Sequence, residues 1–136
     1  MFEYMNEQLT EIGVIPVIVI KDAKDAPELG KALSEAGMRC AEVTFRTDAA
    51  EETIRTISEN FPDILVGAGT VFTKEQVDIA VAAGAKFIDS PIMDTELIDY
   101  CISKNIPVYP GVATPSEAAA GIKRGLKILF KRTGDK

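Results

Sequence analysis

Short apolar runs rich in β-branched residues alternate with longer, alanine-rich stretches of helical character, and this alternation restricts the fold more than any other feature. The runs recur about every 20 to 25 residues, the repeat expected of a strand followed by a helix. Six runs are predicted as strands: 14–20, 39–44, 64–67, 86–89, 107–109 and 127–130. Several are apolar on both faces, as buried parallel strands are. The pattern therefore predicts an α/β fold with a parallel sheet.

Five helices are predicted between these strands, at 26–35, 49–60, 74–83, 95–104 and 116–124. Gly37, Gly84 and Gly125 stand where the C-terminal end of a helix favours a left-handed residue. No linker or low-complexity segment interrupts the series. Residues 1–136 are therefore predicted to form a single domain.

Two architectures satisfy this order of elements. A closed (βα)8 barrel normally takes about 250 residues, whereas a doubly wound open sheet needs only five or six strands. The length of 136 residues favours the open sheet. The nucleotide-binding form of that sheet has a glycine-rich turn after its first strand, and residues 20–23 contain no glycine. The chain length therefore favours an open sheet, whereas the missing glycine-rich turn argues against its nucleotide-binding form.

Charge and residue usage exclude several classes of function. The chain has 15 basic and 21 acidic residues, a formal net charge of −6 and no histidine. This balance offers no general attraction to phosphate backbones or anionic lipid, so we expect neither a nucleic-acid nor a membrane partner. A Ser-His-Asp triad cannot form, and Cys40 and Cys101 lack the spacing of metal ligands. Acid–base chemistry is left to carboxylates, lysines or tyrosines.

The N-terminal region has no signal of export. Glu3 and Glu7 stand where a signal peptide would be basic. The longest apolar run, 14–20, is far shorter than the roughly 20 residues of a membrane-spanning helix. We therefore expect a cytoplasmic protein.

The second predicted strand has one polar face. Glu42, Thr44 and Arg46 alternate with apolar residues at the period of a β-strand. A polar face on a buried strand fits a barrel interior or a cleft at the strand's C-terminal end. The same pattern also fits a solvated edge strand, and Glu42 and Arg46 could form a structural ion pair.

Other strand ends carry residues that serve either turns or sites. Gly67-Ala-Gly-Thr70 closes the third strand, where glycines allow a ligand to approach the backbone and Thr70 offers a hydroxyl. Ser90-Pro91 follows the fourth strand, and Pro110-Gly111 follows the fifth. Taken alone, each of these pieces is more typical of an ordinary turn than of a site.

Taken in order, the pieces resemble the 2-keto-3-deoxy-6-phosphogluconate (KDPG) aldolases, which also act as 4-hydroxy-2-oxoglutarate (KHG) aldolases. The resemblance covers about residues 12 to 129. It rests on Ile15-Pro-Val-Ile18, Glu42-Val-Thr-Phe-Arg-Thr47, Gly67-Ala-Gly-Thr-Val71, Ser90-Pro91, Ile106-Pro-Val-Tyr-Pro-Gly111 with Thr114, and Gly125-Leu-Lys127. It implies a (βα)8 barrel, here incomplete with five βα units and a sixth strand, and usually assembled as a homotrimer.

The resemblance also implies a reaction and roles for individual residues. The family cleaves its substrate as a class I aldolase, through a lysine Schiff base and without a metal or cofactor. Glu42 matches the proton-transfer glutamate, Arg46 the arginine that holds the pyruvyl carboxylate, and Thr70 a hydroxyl near that carboxylate. Pro91 matches a proline of the site wall. Arginine suits this task because it grips a carboxylate with two hydrogen bonds.

The C-terminal segment departs from the family pattern. Phe130 stands at the position of the Schiff-base lysine, and a lysine follows one residue later, at Lys131. Lys131 is therefore the candidate nucleophile, with a solvated tail residue as the alternative interpretation. Residues 131–136 are predicted to be a divergent polar tail, and the chain resembles a truncated or frameshifted aldolase.

The sequence thus favours an aldolase that releases pyruvate and an aldehyde from a 2-keto-3-deoxy sugar acid, in the Entner–Doudoroff pathway of carbohydrate metabolism. Two alternatives stay open. One is an inactive fragment that at most binds 2-oxo acids through Arg46 and Thr70, and the other is an unrelated flavodoxin-like binding module.

Overall fold

The computed structural model describes residues 1–131 and shows a half-barrel of parallel strands with helices on its outer side. Of the predicted polar tail, Lys131 is described and residues 132–136 lie outside the described residues. The strands are β1 (Val17–Ile18), β2 (Cys40–Thr44), β3 (Leu65–Gly69), β4 (Ile88–Ser90), β5 (Val108–Val112) and β6 (Phe130–Lys131). The helices are α1 (Glu3–Ile12), α2 (Ala26–Glu35), α3 (Ala50–Asn60), α4 (Lys74–Ala83), α5 (Thr95–Ser103) and α6 (Pro115–Lys123).

The order of the strands decides between the two architectures. The strands follow one another across the sheet as β1-β2-β3-β4-β5-β6, and every neighbouring pair is parallel. A doubly wound sheet reverses its strand order at a switch point, whereas a barrel does not. The incomplete barrel is therefore confirmed, and the open-sheet alternative is wrong. The solvated-edge interpretation of the second strand is also wrong, because β2 lies between β1 and β3.

The outer face of the sheet carries the main apolar core. Ala41, Val43 and Val66 are almost completely buried and belong to one cluster with residues of the surrounding helices. Since successive residues of a strand face opposite sides, the residues between them point to the barrel interior. The polar face predicted for the second strand is thus the inner face.

Helix α1 closes the N-terminal end of the barrel interior. Met5 and Leu9 pack in a second buried cluster with Cys40, Phe87 and Tyr109. The Tyr109 hydroxyl donates a hydrogen bond of 2.7 Å to the side-chain oxygen of Asn6. This helix was absent from the five that the sequence predicts. Only two of its residues, Met5 and Leu9, are buried, so its apolar face is narrow.

The remaining helices lie close to their predicted bounds, and their ends show why. Thr73 and Gln76 form a reciprocal capping box at the start of α4, and the Thr114 hydroxyl accepts the Glu117 amide at the start of α6. Gly84 ends α4 with φ +117°, in the left-handed region where glycine is favoured. Strand β1 is shorter than predicted, with ladder pairing only at Val17–Ile18. No helix among residues 1–131 is long and apolar enough to cross a membrane.

Candidate functional site

A cavity of about 350 Å³ opens at the C-terminal ends of the strands, on the inner side of the barrel. It gathers residues from five strands and the segments that follow them. Its apolar lining includes Ile15, Val17, Pro91 and Phe130, and its polar lining includes Glu42, Arg46, Thr70, Asp89 and Ser90. The structure places Glu42, Arg46 and Thr70 around this one cavity. Their chemical roles stay predictions.

Glu42 lies on the inner face of β2 and is 9% exposed. Its backbone amide donates to the Pro16 carbonyl at 2.9 Å, which ties this part of β2 to the entry of β1. Its carboxyl group lies against Gly69 of β3, so closely that a Cβ at residue 69 would overlap it. The second glycine of the Gly67-Ala-Gly69 segment therefore makes room for a side chain of the site.

Gly67, the first glycine of that segment, also makes room for a side chain, but nearer the N-terminal end of the barrel interior. A Cβ at residue 67 would overlap the ring of Phe87, which lies in the closed part of the interior. Both glycines are inside β3 rather than in a turn. Neighbouring side chains thus occupy the space above Gly67 and Gly69, and the expected approach of a ligand to their backbone is not what these glycines serve.

Arg46 lies in the loop that leaves β2, and hydrogen bonds hold this loop in place from both sides of its strand. The Thr44 hydroxyl donates to the Ile18 carbonyl at 2.9 Å, and the Thr47 hydroxyl donates to the Ile20 carbonyl. The Phe45 amide donates to the Gly69 carbonyl at 2.8 Å. The ion pairs found in residues 1–131 do not include Arg46. A structural Glu42–Arg46 pair is therefore not formed there, and the exposed guanidinium can meet an anionic ligand.

Thr70 follows β3 directly and has an unusual backbone. Its φ is +56°, in the left-handed region that a β-branched residue rarely adopts. Strain of this kind costs on the order of 1 to 3 kcal/mol and occurs often at ligand sites. The strained turn puts Thr70 on the wall of the same cavity as Arg46.

Asp89 is the residue of this cavity that the sequence prediction missed. It lies in the middle of β4 and is 6% exposed. Burial raises the pKa of its carboxyl group to about 10, and the neighbouring Glu42 carboxyl adds to the rise through a hydrogen bond and charge repulsion. The polar–apolar alternation that singled out Glu42 is absent here, because the residues two positions before and after Asp89, Phe87 and Pro91, are apolar.

The two candidate residues of β6 lie differently with respect to the cavity. Phe130 pairs with Gly111, lines the cavity and meets the Tyr109 ring edge to face at 6.3 Å. Lys131 pairs with Val112 and is exposed. It is not among the residues that line the cavity. This difference follows from the alternation of side chains along a strand.

The described residues offer little for a metal ion. Among residues 1–131, no group of three or more cysteine, aspartate or glutamate side chains is arranged to hold one. Cys40 and Cys101 are free and buried, and burial raises the pKa of each thiol to about 12. The arrangement instead provides one guanidinium, the hydroxyls of Thr70 and Ser90, and two neighbouring carboxyls beside an apolar wall.

Comparison with known proteins adds independent information. The family model of KDPG and KHG aldolase matches residues 5–131. The 2-dehydro-3-deoxy-phosphogluconate aldolase of Treponema pallidum is 40% identical over 123 residues, which cover 90% of this chain and 59% of that protein. The KHG/KDPG aldolase of Escherichia coli K12 is 41% identical over 119 residues, which cover 88% of this chain and 56% of that protein.

A solved structure shows the same relation in three dimensions. The KDPG aldolase of Legionella pneumophila, crystallised with pyruvate captured as a covalent carbinolamine intermediate, superposes with a TM-score of 0.78 and 45% identity. The match covers 82% of this chain and 54% of that one. The chain thus spans between half and three fifths of the length of these relatives.

Proposed function

The chain belongs to the KDPG and KHG aldolase family, and from this membership and the cavity we propose that it acts on a 2-keto-3-deoxy sugar acid as a class I aldolase. The products would be pyruvate and an aldehyde, either glyceraldehyde 3-phosphate or glyoxylate. One observation carries the proposal. Glu42, Arg46 and Thr70, the residues that the family pattern assigns to the pyruvyl half of the substrate, line one cavity.

The chemistry of the cavity fits the pyruvyl half of such a substrate. The Arg46 guanidinium can hold the carboxylate through two hydrogen bonds, and the Thr70 hydroxyl can donate a third. The apolar wall of Ile15, Val17 and Phe130 can accept the methylene carbon at C3. Pyruvate in the carbinolamine of the Legionella structure supports the same assignment, since that protein is 45% identical to this chain.

The proposed reaction needs one amine and one proton carrier. A neutral lysine amine adds to the C2 ketone to form a carbinolamine, and loss of water gives the iminium. Glu42 then removes the proton of the C4 hydroxyl, the C3–C4 bond breaks as the C4 oxygen becomes the aldehyde carbonyl, and the electron pair of the broken bond moves toward the iminium nitrogen. Glu42 transfers the protons of carbinolamine formation and dehydration and returns one to C3 of the enamine. Hydrolysis of the resulting iminium releases pyruvate and restores the lysine.

Lys131 is the amine nearest in sequence to Phe130, which stands at the position of the family's Schiff-base lysine. It projects away from the face that Phe130 presents to the cavity, so it reaches the C2 carbonyl only if β6 shifts in register or its end frays. A misplacement of about 1 Å can cost roughly 100-fold in rate. We therefore propose an enzyme whose turnover is far below that of its full-length relatives.

A second function is favoured by the same feature. With Phe130 in the cavity and Lys131 outside it, the chain would bind a 2-oxo acid through Arg46 and Thr70 without cleaving a substrate. This function needs the carboxylate contacts and no amine.

Trapping with borohydride distinguishes the two functions. The protein is incubated with pyruvate and sodium borohydride, and any adduct is mapped by mass spectrometry. An adduct on Lys131, absent in Lys131→Ala and accompanied by pyruvate release from the sugar acid, supports the aldolase. Pyruvate binding without an adduct supports the binding function, and the absence of both would contradict each of them. Lys127→Ala, which removes a neighbouring lysine, is the matched control.

Assembly and location are part of the proposal as well. We infer a homotrimer in the cytoplasm, as in the family. Exposed apolar side chains outside the cavity support association, because Val14 is 61% exposed and Val19 is 48% exposed. Sedimentation of a single stable species of monomer mass would contradict this inference.

A further inference from the structure

Asp89 is a buried carboxyl to which neither the family pattern nor the proposed reaction assigns a task. Its neighbour Ile88 points to the outer core, so Asp89 points to the inner side and lines the cavity with Glu42. Neither of its carboxyl oxygens accepts a hydrogen bond from an N–H or hydroxyl donor in residues 1–131. The polar group that meets it is the Glu42 carboxyl.

Two carboxyl groups in contact within a buried site do not both ionise. Burial disfavours the charge on Asp89, and the neighbouring Glu42 carboxyl disfavours it further. A shared proton resolves both problems, because a neutral carboxylic acid is a hydrogen-bond donor and a carboxylate is an acceptor. Asp89 is the member that keeps the proton, because burial raises the pKa of its carboxyl and neither of its oxygens meets an N–H or hydroxyl donor of residues 1–131 that would stabilise a carboxylate.

The groups around the pair leave this arrangement undisturbed. Arg46 is the cationic residue among those that line the same cavity, and the ion pairs found in residues 1–131 do not join it to either carboxyl. From β2 and β5 the pair is approached by the Cys40 thiol and the Tyr109 phenol, and burial raises the pKa of both, so they are neutral at pH 7. Strand β3 presents glycines, and the remaining neighbours on β1 and β6 are apolar: Ile15, Val17 and Phe130.

We propose that Asp89 is a positioning residue for Glu42, a neutral acid that donates a hydrogen bond to the Glu42 carboxylate and holds it against Gly69, facing the cavity. The inference rests on the proposed function for its purpose, since Glu42 is the proposed proton carrier. The pair then holds one proton. Glu42 is kept ready to accept a proton from the substrate without drifting toward Arg46, which is left to bind the substrate carboxylate.

Carbon-13 NMR of labelled side-chain carboxyls tests the protonation directly. The Asp89 signal should have the chemical shift of a neutral acid at pH 7. In Glu42→Gln the titration midpoint of Asp89 should fall by at least about one pH unit, because the carboxylate neighbour is gone. An ionised Asp89 at pH 7 in the unmodified chain, or an unchanged midpoint in Glu42→Gln, would overturn the proposal.

A pair of Asp89 variants tests the positioning. Asp89→Asn keeps an N–H donor, whereas Asp89→Leu has a similar size and no donor. The nuclear Overhauser contact between the Glu42 side chain and the Gly69 α-protons should persist in Asp89→Asn and be lost or weakened severalfold in Asp89→Leu. Equal contacts in the two variants would overturn the positioning role, because a merely space-filling residue would be replaced by either.

The same labelled samples separate this inference from the proposed function. Pyruvate is added to the unmodified chain, and the amide signals of Arg46 and Thr70 are followed. If pyruvate leaves them unchanged while Asp89 is neutral, the proposed function fails and the carboxyl pair stands. If pyruvate shifts them while Asp89 is ionised, the inference about Asp89 fails and the function stands.

Discussion

The two halves of the barrel interior are built from the same strands and differ completely in character. At the N-terminal end, α1 closes the interior with Met5 and Leu9 packed on Phe87 and Tyr109. At the C-terminal end the interior is an open cavity whose polar lining includes Glu42 and Arg46. The two layers are two residues apart at β4, where Phe87 comes directly before the strand and Asp89 lies in its middle. The comparison indicates that stability and ligand chemistry are separated along the barrel axis.

The largest effect is expected in the closed half. Phe87 is completely buried and packs edge to face with Tyr109 at 6.3 Å. Phe87→Ala should lower the free energy of unfolding by about 3 to 5 kcal/mol, the usual cost of removing a buried aromatic ring. Urea denaturation followed by circular dichroism measures it. Phe72→Ala, at a position that is 45% exposed, is the control and should change stability by less than about 0.5 kcal/mol.

In the open half, the buried carboxyl of Asp89 should make the stability of the fold depend on pH. Because the pKa of Asp89 is raised from 3.8 to about 10 in the fold, the unfolded chain releases a proton that the folded chain keeps. The free energy of unfolding should therefore fall as the pH rises above about 4, by at most about 1.4 kcal/mol per pH unit. Asp89→Asn should lack this dependence.

Denaturation of the unmodified chain and the Asn variant at pH 5, 7 and 9 measures the difference. Equal stability differences between the two proteins at all three values would show that Asp89 ionises normally in the fold. Asp78→Asn is the matched control, since Asp78 lies on the outer helix α4 and accepts the Tyr100 hydroxyl outside the barrel interior.

A smaller effect is expected at the rim of the cavity. Thr70→Gly should raise stability by up to about 1 kcal/mol, because glycine adopts a positive φ without the Cβ strain. Pyruvate affinity should fall at the same time, since the hydroxyl is lost. Asn105→Gly, with the same φ of +56°, is the control and should leave pyruvate affinity unchanged. A loss of stability in Thr70→Gly would mean that the backbone at this position is not strained.

The open half could be predicted from the sequence because β2 shows its inner face as an unbroken alternation of polar and apolar residues. Asp89 was missed because β4 is short, and because Phe87 just before it and Ile88 within it belong to opposite clusters but form one apolar run in the sequence. In the closed half, helix α1 was missed because it has few buried residues. Met5, Leu9 and Ile12 do recur at helical spacing, and Gly13 ends the helix with φ +78°.

The arrangement of the strands required more than periodicity. An open sheet and a barrel have the same spacing of strands and helices, and only the neighbours of each strand distinguish them. Chain length favoured the wrong architecture. The ordered motifs of the resemblance favoured the right one, because the family that they resemble has a barrel fold.

Titration with pyruvate, followed in ¹H–¹⁵N correlation spectra, tests most directly whether the open half is the ligand site and the closed half is purely structural. We expect pyruvate to shift the amide signals of Arg46, Thr70 and Ser90 and to leave those of Met5 and Leu9 of α1 unchanged. In Arg46→Ala the shifts should be lost. Shifts that cluster on α1, or a response that survives in Arg46→Ala, would contradict this expectation.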